Sequence, residues 1–360
     1  MIKRTLRDPL ALLLISALGL GGCTLNPATG SHQLNFYGEE SEIEMGREAD
    51  EEIVATVGLY DDPLLQDYVQ DLGMEIAAAS ERPGLPWSFK LLDDPSVNAF
   101  ALPGGFVYVT RGLMTHLDSE AELAATIGHE VGHVTARHGV NQMSKQILAS
   151  VGLEVAAILD DDIADWAFAG HVGLGLLFLQ HGRDDERQAD DLGLRYAMRA
   201  GYDPRQMSEL FGVLEAVSKV EGVGRLPSWL STHPDPGARR KRVEEKVAKM
   251  EGDFSNARIE RDSYLERLDG MVFGDTSGSE QQEEMEEDVG SSALVDGDPE
   301  AMSARTSRIR VIRLQEDMTV EQFAEEFPSD APIETVAMIN HVQPGGMLKK
   351  GQLAKRIVVE

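Results

Sequence analysis

The five-residue segment His129-Glu130-Val131-Gly132-His133 constrains the fold of this chain more than any other feature. Apolar residues recur around it at three- and four-residue spacing, from Leu123 to Val134, which predicts an amphipathic helix. Ser119, followed three residues later by Glu122, predicts a capping box at the start of that helix. Two histidines four residues apart project from one helix face and can bind one metal ion. The glutamate between them can accept a proton from water on that metal, so the fold has to bring a further ligand to this face.

A carboxylate for the third position is available downstream, in Glu186-Arg187-Gln188-Ala189-Asp190, on a helix predicted from about residue 184 to 198. A catalytic zinc takes three protein ligands and keeps its fourth position for water. Glu186 can supply the third ligand, although Asp184 and Asp185 compete with it on spacing alone. Asp190, one turn later, can accept a hydrogen bond from a ligand histidine and fix its tautomer.

A proline-rich turn, Ser231-Thr232-His233-Pro234-Asp235-Pro236, leads into another predicted helix that carries Arg239. Imidazole and guanidinium groups are donors of the kind that a tetrahedral oxyanion requires, so His233 and Arg239 are predicted to act there. His233 has an alternative role. Its imidazole could occupy the open metal position and keep the enzyme inactive until it is displaced.

A substrate site is predicted between two short strands, residues 87–92 and 105–110. Between them lies the segment Asn98-Ala99-Phe100-Ala101-Leu102-Pro103-Gly104-Gly105. An extended peptide could pair with its backbone as a strand added to a sheet edge. Pro103 is compatible with an edge position, because proline is tolerated there.

The order of these motifs, NAFALPGG, HEVGH, ERQAD and STHPDPGAR, resembles the HtpX- and BepA-like zinc metallopeptidases, peptidase family M48 of the gluzincin group. The resemblance covers roughly residues 39–273. It implies a mostly helical α+β domain of zincin type with a small sheet, and one Zn²⁺ per chain. It also implies an endopeptidase that attacks peptide bonds with metal-activated water. The roles that it implies are metal ligands at His129, His133 and Glu186, a general base at Glu130, transition-state groups at His233 and Arg239, and substrate contacts from Asn98 to Ala101.

The amino terminus predicts export. Three basic residues, the last of them Arg7, precede an apolar run from Leu10 to Leu20. At 1.5 Å rise per residue this run is about 16 Å long, roughly half of a bilayer core, and it indicates a secretory signal over residues 1–22.

Lipid attachment is predicted at Cys23, the single cysteine of the chain, which cannot form an internal disulfide. The tetrapeptide ending at Cys23 resembles a bacterial lipobox, and Thr24 after it favours the outer membrane. The sequence therefore predicts a periplasmic protein anchored to the membrane through Cys23, with a tether over residues 23–38. The location and the resemblance together predict misfolded or misassembled envelope proteins as substrates.

The chain divides again near its end. Residues 274–304 lack lysine and arginine and are rich in acids, which is typical of a linker. Residues 305–360 form a predicted strand-helix-helix-strand (βααβ) module that resembles a LysM module and implies binding to peptidoglycan. The usual Gly-Asp-Thr turn of that family is replaced by Asp317-Met318-Thr319, so a protein-docking role competes with glycan binding.

The net charge of −29 excludes nucleic acid as a partner, because no basic field replaces counterions along a phosphate backbone.

The apolar stretch from Ile163 to Leu179 contains Asp165, His171 and three glycines, so a buried or cleft-covering helix is favoured over a lipid-exposed one. Two functions of other classes stay open. One is a non-catalytic holdase or assembly factor, and the other is a peptidoglycan-tethering lipoprotein.

Overall fold

The computed structural model of the protein describes residues 23–157, 181–220, 229, 233–274 and 306–360. The predicted signal peptide, the apolar stretch from 163 to 179, Ser231 and Thr232, and residues 275–304 lie outside the described residues. The described parts are mainly helical with small sheets, so the predicted α+β class is confirmed. None of the described helices has the length and apolarity that a membrane crossing requires.

The strands are, in chain order, β1 (Cys23–Leu25), β2 (His32–Leu34), β3 (Ser88–Leu92), β4 (Ala99–Leu102), β5 (Phe106–Thr110), β6 (Ser307–Arg313), β7 (Met318–Thr319), β8 (Met347–Leu348) and β9 (Leu353–Val359). The helices are α1 (Glu39–Val57), α2 (Pro63–Ala78), α3 (Arg111–His116), α4 (Glu120–Thr135), α5 (His138–Ala157), α6 (Arg183–Arg199), α7 (Gln206–Val220), α8 (Pro236–Val247), α9 (Arg261–Leu268), α10 (Val320–Glu326) and α11 (Ile333–Ile339).

The helix that carries the two histidines, α4, begins where the sequence predicts. Ser119 is its N-cap, and its hydroxyl accepts a hydrogen bond from the Glu122 N–H. The capping box is completed one residue earlier than expected, because the Glu122 carboxylate accepts from the Asp118 N–H rather than from that of Ser119. Every residue of α4 is buried, so the helix forms the centre of the main hydrophobic core.

The sheet beside α4 has the order β3-β5-β4. The central strand β5 runs parallel to β3 and antiparallel to β4, with Ala99 opposite Val109 and Leu102 opposite Phe106. Among the described strands β4 pairs with β5 alone, so its outer edge keeps free backbone donors and acceptors. The predicted edge strand is therefore present.

A close approach of two backbones brings the second motif to the first. A Cβ atom on Gly193 of α6 would lie 2.7 Å from the backbone nitrogen of His129, closer than real Cβ contacts come. Gly128 and Gly132 face α6 in the same way, with backbone oxygens of Gly193 and Ala189 at 3.0 Å from their Cβ positions. Only glycines allow α4 and α6 to pack at this separation.

The chain turns sharply after α4, and this turn determines where His138 lies. A continuous helix would direct His138 well away from His133. Instead α4 ends at Thr135, Arg137 adopts a left-handed φ of 61°, and a new helix begins at His138. Arg137 is held by its side chain, which donates to the Glu42 carboxylate. His138 therefore returns to the neighbourhood of His133.

The C-terminal residues 306–360 form two antiparallel strands, β6 and β9, with α10 and α11 between them. The predicted order strand, helix, helix, strand is present, and the short strands β7 and β8 form an additional antiparallel pair. These residues pack against the rest of the protein. Leu353 belongs to the main core, and the buried Lys355 ammonium donates to the Thr115 and Leu117 carbonyls around the end of α3.

Candidate metal centre

The three predicted metal ligands meet in one buried cluster. His129 Nε2 and His133 Nε2, one turn apart on α4, lie 3.0 Å from each other. Glu186, in the first turn of α6, places Oε1 3.4 Å from His133 Nε2 and Oε2 3.7 Å from His129 Nε2. A tetrahedral zinc with ligands at 2.0–2.1 Å separates its ligand atoms by about 3.3 Å, so these positions fit one ion.

The charge of the site also fits a divalent cation. Glu130, Glu186 and Asp190 are three buried carboxylates, and among the described residues Arg239 is the guanidinium that contacts Glu186 and Asp190. Arg239 can neutralise only one of these three negative charges, and an excess of buried negative charge is costly unless a cation is bound. Glu130 Oε1 and Glu186 Oε2 are buried without a hydrogen-bond partner, as expected for atoms that face a metal and its water.

Asp190 orients the first histidine. Its Oδ1 lies 3.1 Å from His129 Nδ1, so the proton of that imidazole is on Nδ1 when Nε2 binds the metal. Burial favours the neutral acid, but the charge of Arg239 and the hydrogen bond from His129 outweigh it and lower the pKa of Asp190 to about 2. The carboxylate is thus ionised at neutral pH.

Arg239 contacts the carboxylates around the ligand set. Its Nε and Nη2 donate to both oxygens of Asp190, at 3.1 and 2.5 Å, and Nη1 lies 2.8 Å from Glu186 Oε2 without hydrogen-bond alignment. The guanidinium carbon also lies over the rings of Phe211 and Trp229, 4.5 and 4.8 Å from their centroids. Nη2 also lies 3.2 Å from His129 Nδ1, and Nη1 has no hydrogen-bond partner, so the predicted role of Arg239 at the oxyanion stays a prediction.

Glu130 and His233 face each other at the centre. Glu130 Oε1 lies 3.7 Å from His233 Nε2. The other ring nitrogen, His233 Nδ1, lies 2.9 Å from Glu186 Oε1 and 3.4 Å from His129 Nε2, inside the ligand cluster. Burial favours neutral His233, but the carboxylates of Glu186 and Glu130 raise its pKa above the usual value. His233 is therefore near both the predicted base and the predicted metal position.

Two histidines next to the cluster were not predicted. The His138 ring packs against His133, with the two Nδ1 atoms 3.0 Å apart. The His181 ring centroid lies 4.0 Å from that of His133. No spacing in the sequence identifies them, because their positions depend on the turn at Arg137 and on the packing of α6.

The edge strand β4 and the turn after it lie close to the metal ligands. Ala101, Leu102 and Pro103 line a small cleft together with His133 and His181.

The other predicted substrate residues have different surroundings. Ala99 is fully buried in the core, and the Phe100 ring stacks on Tyr108 at 4.8 Å between centroids. Asn98 Oδ1 is buried without a hydrogen-bond partner. The backbone of β4, rather than most of its side chains, is thus available to a peptide.

A family model, described as peptidase family M48, matches residues 63–247. The match contains α4, the first turn of α6 and Arg239, hence all residues of the cluster. The chain belongs to peptidase family M48. Zinc is the metal on which this family depends. As a member, the chain has the His/His/Glu arrangement on the elements where the sequence predicted it.

Curated relatives of this M48 member are peptidases. It is 31% identical over 210 residues to a "Beta-barrel assembly-enhancing protease" of Yersinia pestis, covering 56% of this chain and 42% of that protein. It is 27% identical over 252 residues to the protein of the same name in Escherichia coli K12, covering 66% and 51%. The "Mitochondrial metalloendopeptidase OMA1" of Arabidopsis thaliana is 37% identical over 168 residues, covering 46% and 32%. The chain thus spans about half, or less, of the length of these relatives.

Proposed function

We propose that this protein is a zinc-dependent endopeptidase in which His129, His133 and Glu186 hold the metal. The observation that carries the proposal is the convergence of these three buried ligand atoms beside the unpartnered carboxylate oxygen of Glu130. A catalytic zinc needs three protein ligands and a base next to its open position. Membership of the family supports the same assignment.

The residues of the site have different roles in the proposed reaction. When bound, zinc supplies Lewis acidity, which acidifies water and polarises a peptide carbonyl. Glu130 takes the proton from the attacking water and delivers it to the leaving amine. His233, 3.7 Å from Glu130, stabilises the oxyanion or, in a resting state, binds at the open position. Arg239 orients Glu186 and Asp190 through the contacts described above and thereby keeps the ligand set in place.

The substrate is an extended polypeptide in this proposal. The free edge of β4 can pair with a peptide as an added strand, and Ala101 to Pro103 would place that peptide beside His133. The names of the bacterial relatives concern β-barrel assembly. Together with the predicted signal peptide and lipidation at Cys23, this supports misfolded or misassembled envelope proteins as substrates. It also supports an anchored position in the periplasm, at the outer membrane.

Glu130→Gln tests the proposal against a non-catalytic holdase or a tether. Purified parent protein is incubated with an unfolded outer-membrane β-barrel protein, and bound zinc is measured on the same samples. Because Gln cannot accept the proton, cleavage should fall by about 10²- to 10⁴-fold while zinc is retained.

Glu51→Gln, on the exposed side of α1, is the matched control and should behave as the parent. Glu186→Gln should lose zinc as well as cleavage. If Glu130→Gln cleaves at the parent rate, or if the parent binds no zinc, the proposed function is refuted.

A further inference from the structure

We propose that a hydrogen-bond chain from Asn26 through Gln188 and His138 to His133 fixes the tautomer of the second zinc ligand. Asn26, Gln188 and His138 are then positioning residues for the metal, and none of them touches it. This inference rests on the proposed function, because it assumes that His133 binds zinc through Nε2.

The chain is continuous at hydrogen-bond distances. His133 Nδ1 lies 3.0 Å from His138 Nδ1, and His138 Nε2 lies 2.7 Å from Gln188 Oε1. Asn26 Nδ2 donates to the same Gln188 oxygen over 3.1 Å. His133, His138 and Asn26 are buried, and Gln188 is half-buried.

Backbone groups determine the direction of every bond. Asn26 Nδ2 also donates to the Ala136 carbonyl at 3.2 Å, and Asn26 Oδ1 accepts from the Ala28 N–H at 2.9 Å. These two backbone partners leave one orientation for the Asn26 amide, with its NH₂ group toward Gln188. Gln188 must then present its oxygen, because its own NH₂ group would oppose that of Asn26.

The Gln188 oxygen in turn determines the tautomers of His138 and His133. An acceptor at 2.7 Å requires the proton of His138 on Nε2. An imidazole with its single proton on Nε2 has its lone pair on Nδ1, and this atom of His138 lies 3.0 Å from His133 Nδ1. That lone pair accepts the His133 Nδ1 proton. His133 Nε2 is then left unprotonated and faces His129 Nε2 and Glu186, as a metal ligand must.

The two ligand histidines therefore have different supports. His129 uses the carboxylate of Asp190, which is an acceptor whenever it is ionised. His133 uses a neutral relay whose polarity begins at Asn26, three residues after Cys23 and directly after β1. The segment beside the predicted lipid attachment is thus bonded to the metal centre.

Substitutions at Asn26 and Gln188 test the polarity of the relay. Asn26→Asp replaces the donor by an acceptor, so the Gln188 amide should rotate and give His138 Nε2 a donor. His138 would then direct its Nδ1 proton at His133 Nδ1 and favour the tautomer that cannot bind zinc. Gln188→Met removes the acceptor, whereas Gln343→Met, at an exposed glutamine of the C-terminal module, is the matched control.

Zinc affinity is measured by competition with a chelating indicator, and the ring tautomers by ¹⁵N NMR of histidine-labelled protein. Asn26→Asp and Gln188→Met should bind zinc about 10- to 100-fold more weakly, the usual effect of losing a ligand's hydrogen-bond partner. Gln343→Met should bind zinc as tightly as the parent. In zinc-loaded parent protein, His138 should carry its proton on Nε2.

The outcomes separate this inference from the proposed function. If the parent fails to bind zinc, the proposed function is wrong. If the parent binds zinc and cleaves, but Asn26→Asp and Gln188→Met match its affinity, or His138 is protonated on Nδ1, only the relay is overturned. Gln188 is half-exposed and Asn26→Asp preserves shape, so two independent sites report on the same bond chain.

Discussion

Replacing Lys355 by Met tests whether residues 306–360 are a structural part of the peptidase. Lys355 is fully buried, and its ammonium donates to the carbonyls of Thr115 at 3.1 Å and Leu117 at 2.8 Å. His341 Nε2 lies 2.9 Å from the backbone carbonyl oxygen of His116, the residue between them. The last carbonyls of a helix have no partner within it, and here the partners of α3 come from the C-terminal module.

The magnitude follows from the two bonds. Each hydrogen bond from a charged donor contributes about 1.5–3 kcal/mol, and the Lys355→Met variant leaves both carbonyls unsatisfied. Part of that loss is offset, because the variant no longer buries an ammonium group and Met retains the apolar stem. A net loss of about 2–4 kcal/mol is expected, which lowers the melting temperature of a domain of this size by roughly 5–15 °C.

The assay is thermal unfolding at pH 7, monitored by circular dichroism. Burial lowers the pKa of Lys355 to about 8, so the ammonium is still mostly charged at this pH. Lys350→Met, an exposed lysine in the same module, is the control. A melting temperature for Lys355→Met equal to that of Lys350→Met, or a separate early transition of the module alone, would refute the structural role.

Two further predictions concern Arg239 and His116. Arg239→Lys loses the fork that binds both oxygens of Asp190, so zinc affinity should fall about 10- to 100-fold, whereas the exposed Arg187→Lys should leave it unchanged. Burial lowers the pKa of His116 to about 4 from an unfolded value near 6.5, so the folded state binds fewer protons between these pH values. The stability that neutral, buried His116 contributes should therefore be fully present above pH 6.5. The free energy of unfolding should fall by about 3 kcal/mol as the pH is lowered toward 4. His116→Phe should remove that part of the slope, and an unchanged slope in urea titrations would contradict the assignment.

The docked module changes how glycan binding has to be tested. Deleting the chain after Ala304 would remove Leu353 from the main core and the donors to α3, so loss of retention on peptidoglycan could follow from unfolding. Exposed residues of the module, such as Gln343 and Lys350, can be replaced without that effect. The predicted LysM-like role stays a prediction until such variants are measured.

Much of the metal centre is encoded locally. The start of α4 at its Ser119 cap, the helical spacing of His129 and His133, and the strands on either side of β4 follow from short-range patterns. Capping, periodicity and turn preference act within a few residues, so the sequence alone predicts them. The choice of Glu186 over its acidic neighbours required the family resemblance, because spacing left Asp184 and Asp185 equal to it.

Tertiary structure alone decided the rest. His138 returned to the site because Arg137 adopts a left-handed conformation and ends a helix that periodicity would continue. Arg239 contacts Glu186 and Asp190, and Lys355 donates to carbonyls at the end of α3, through contacts between residues 49 to 240 positions apart. Such contacts depend on which helix faces meet. The separation of α4 and α6 depends on the close contact at Gly193, which involves the backbones of both helices. No local pattern encodes it.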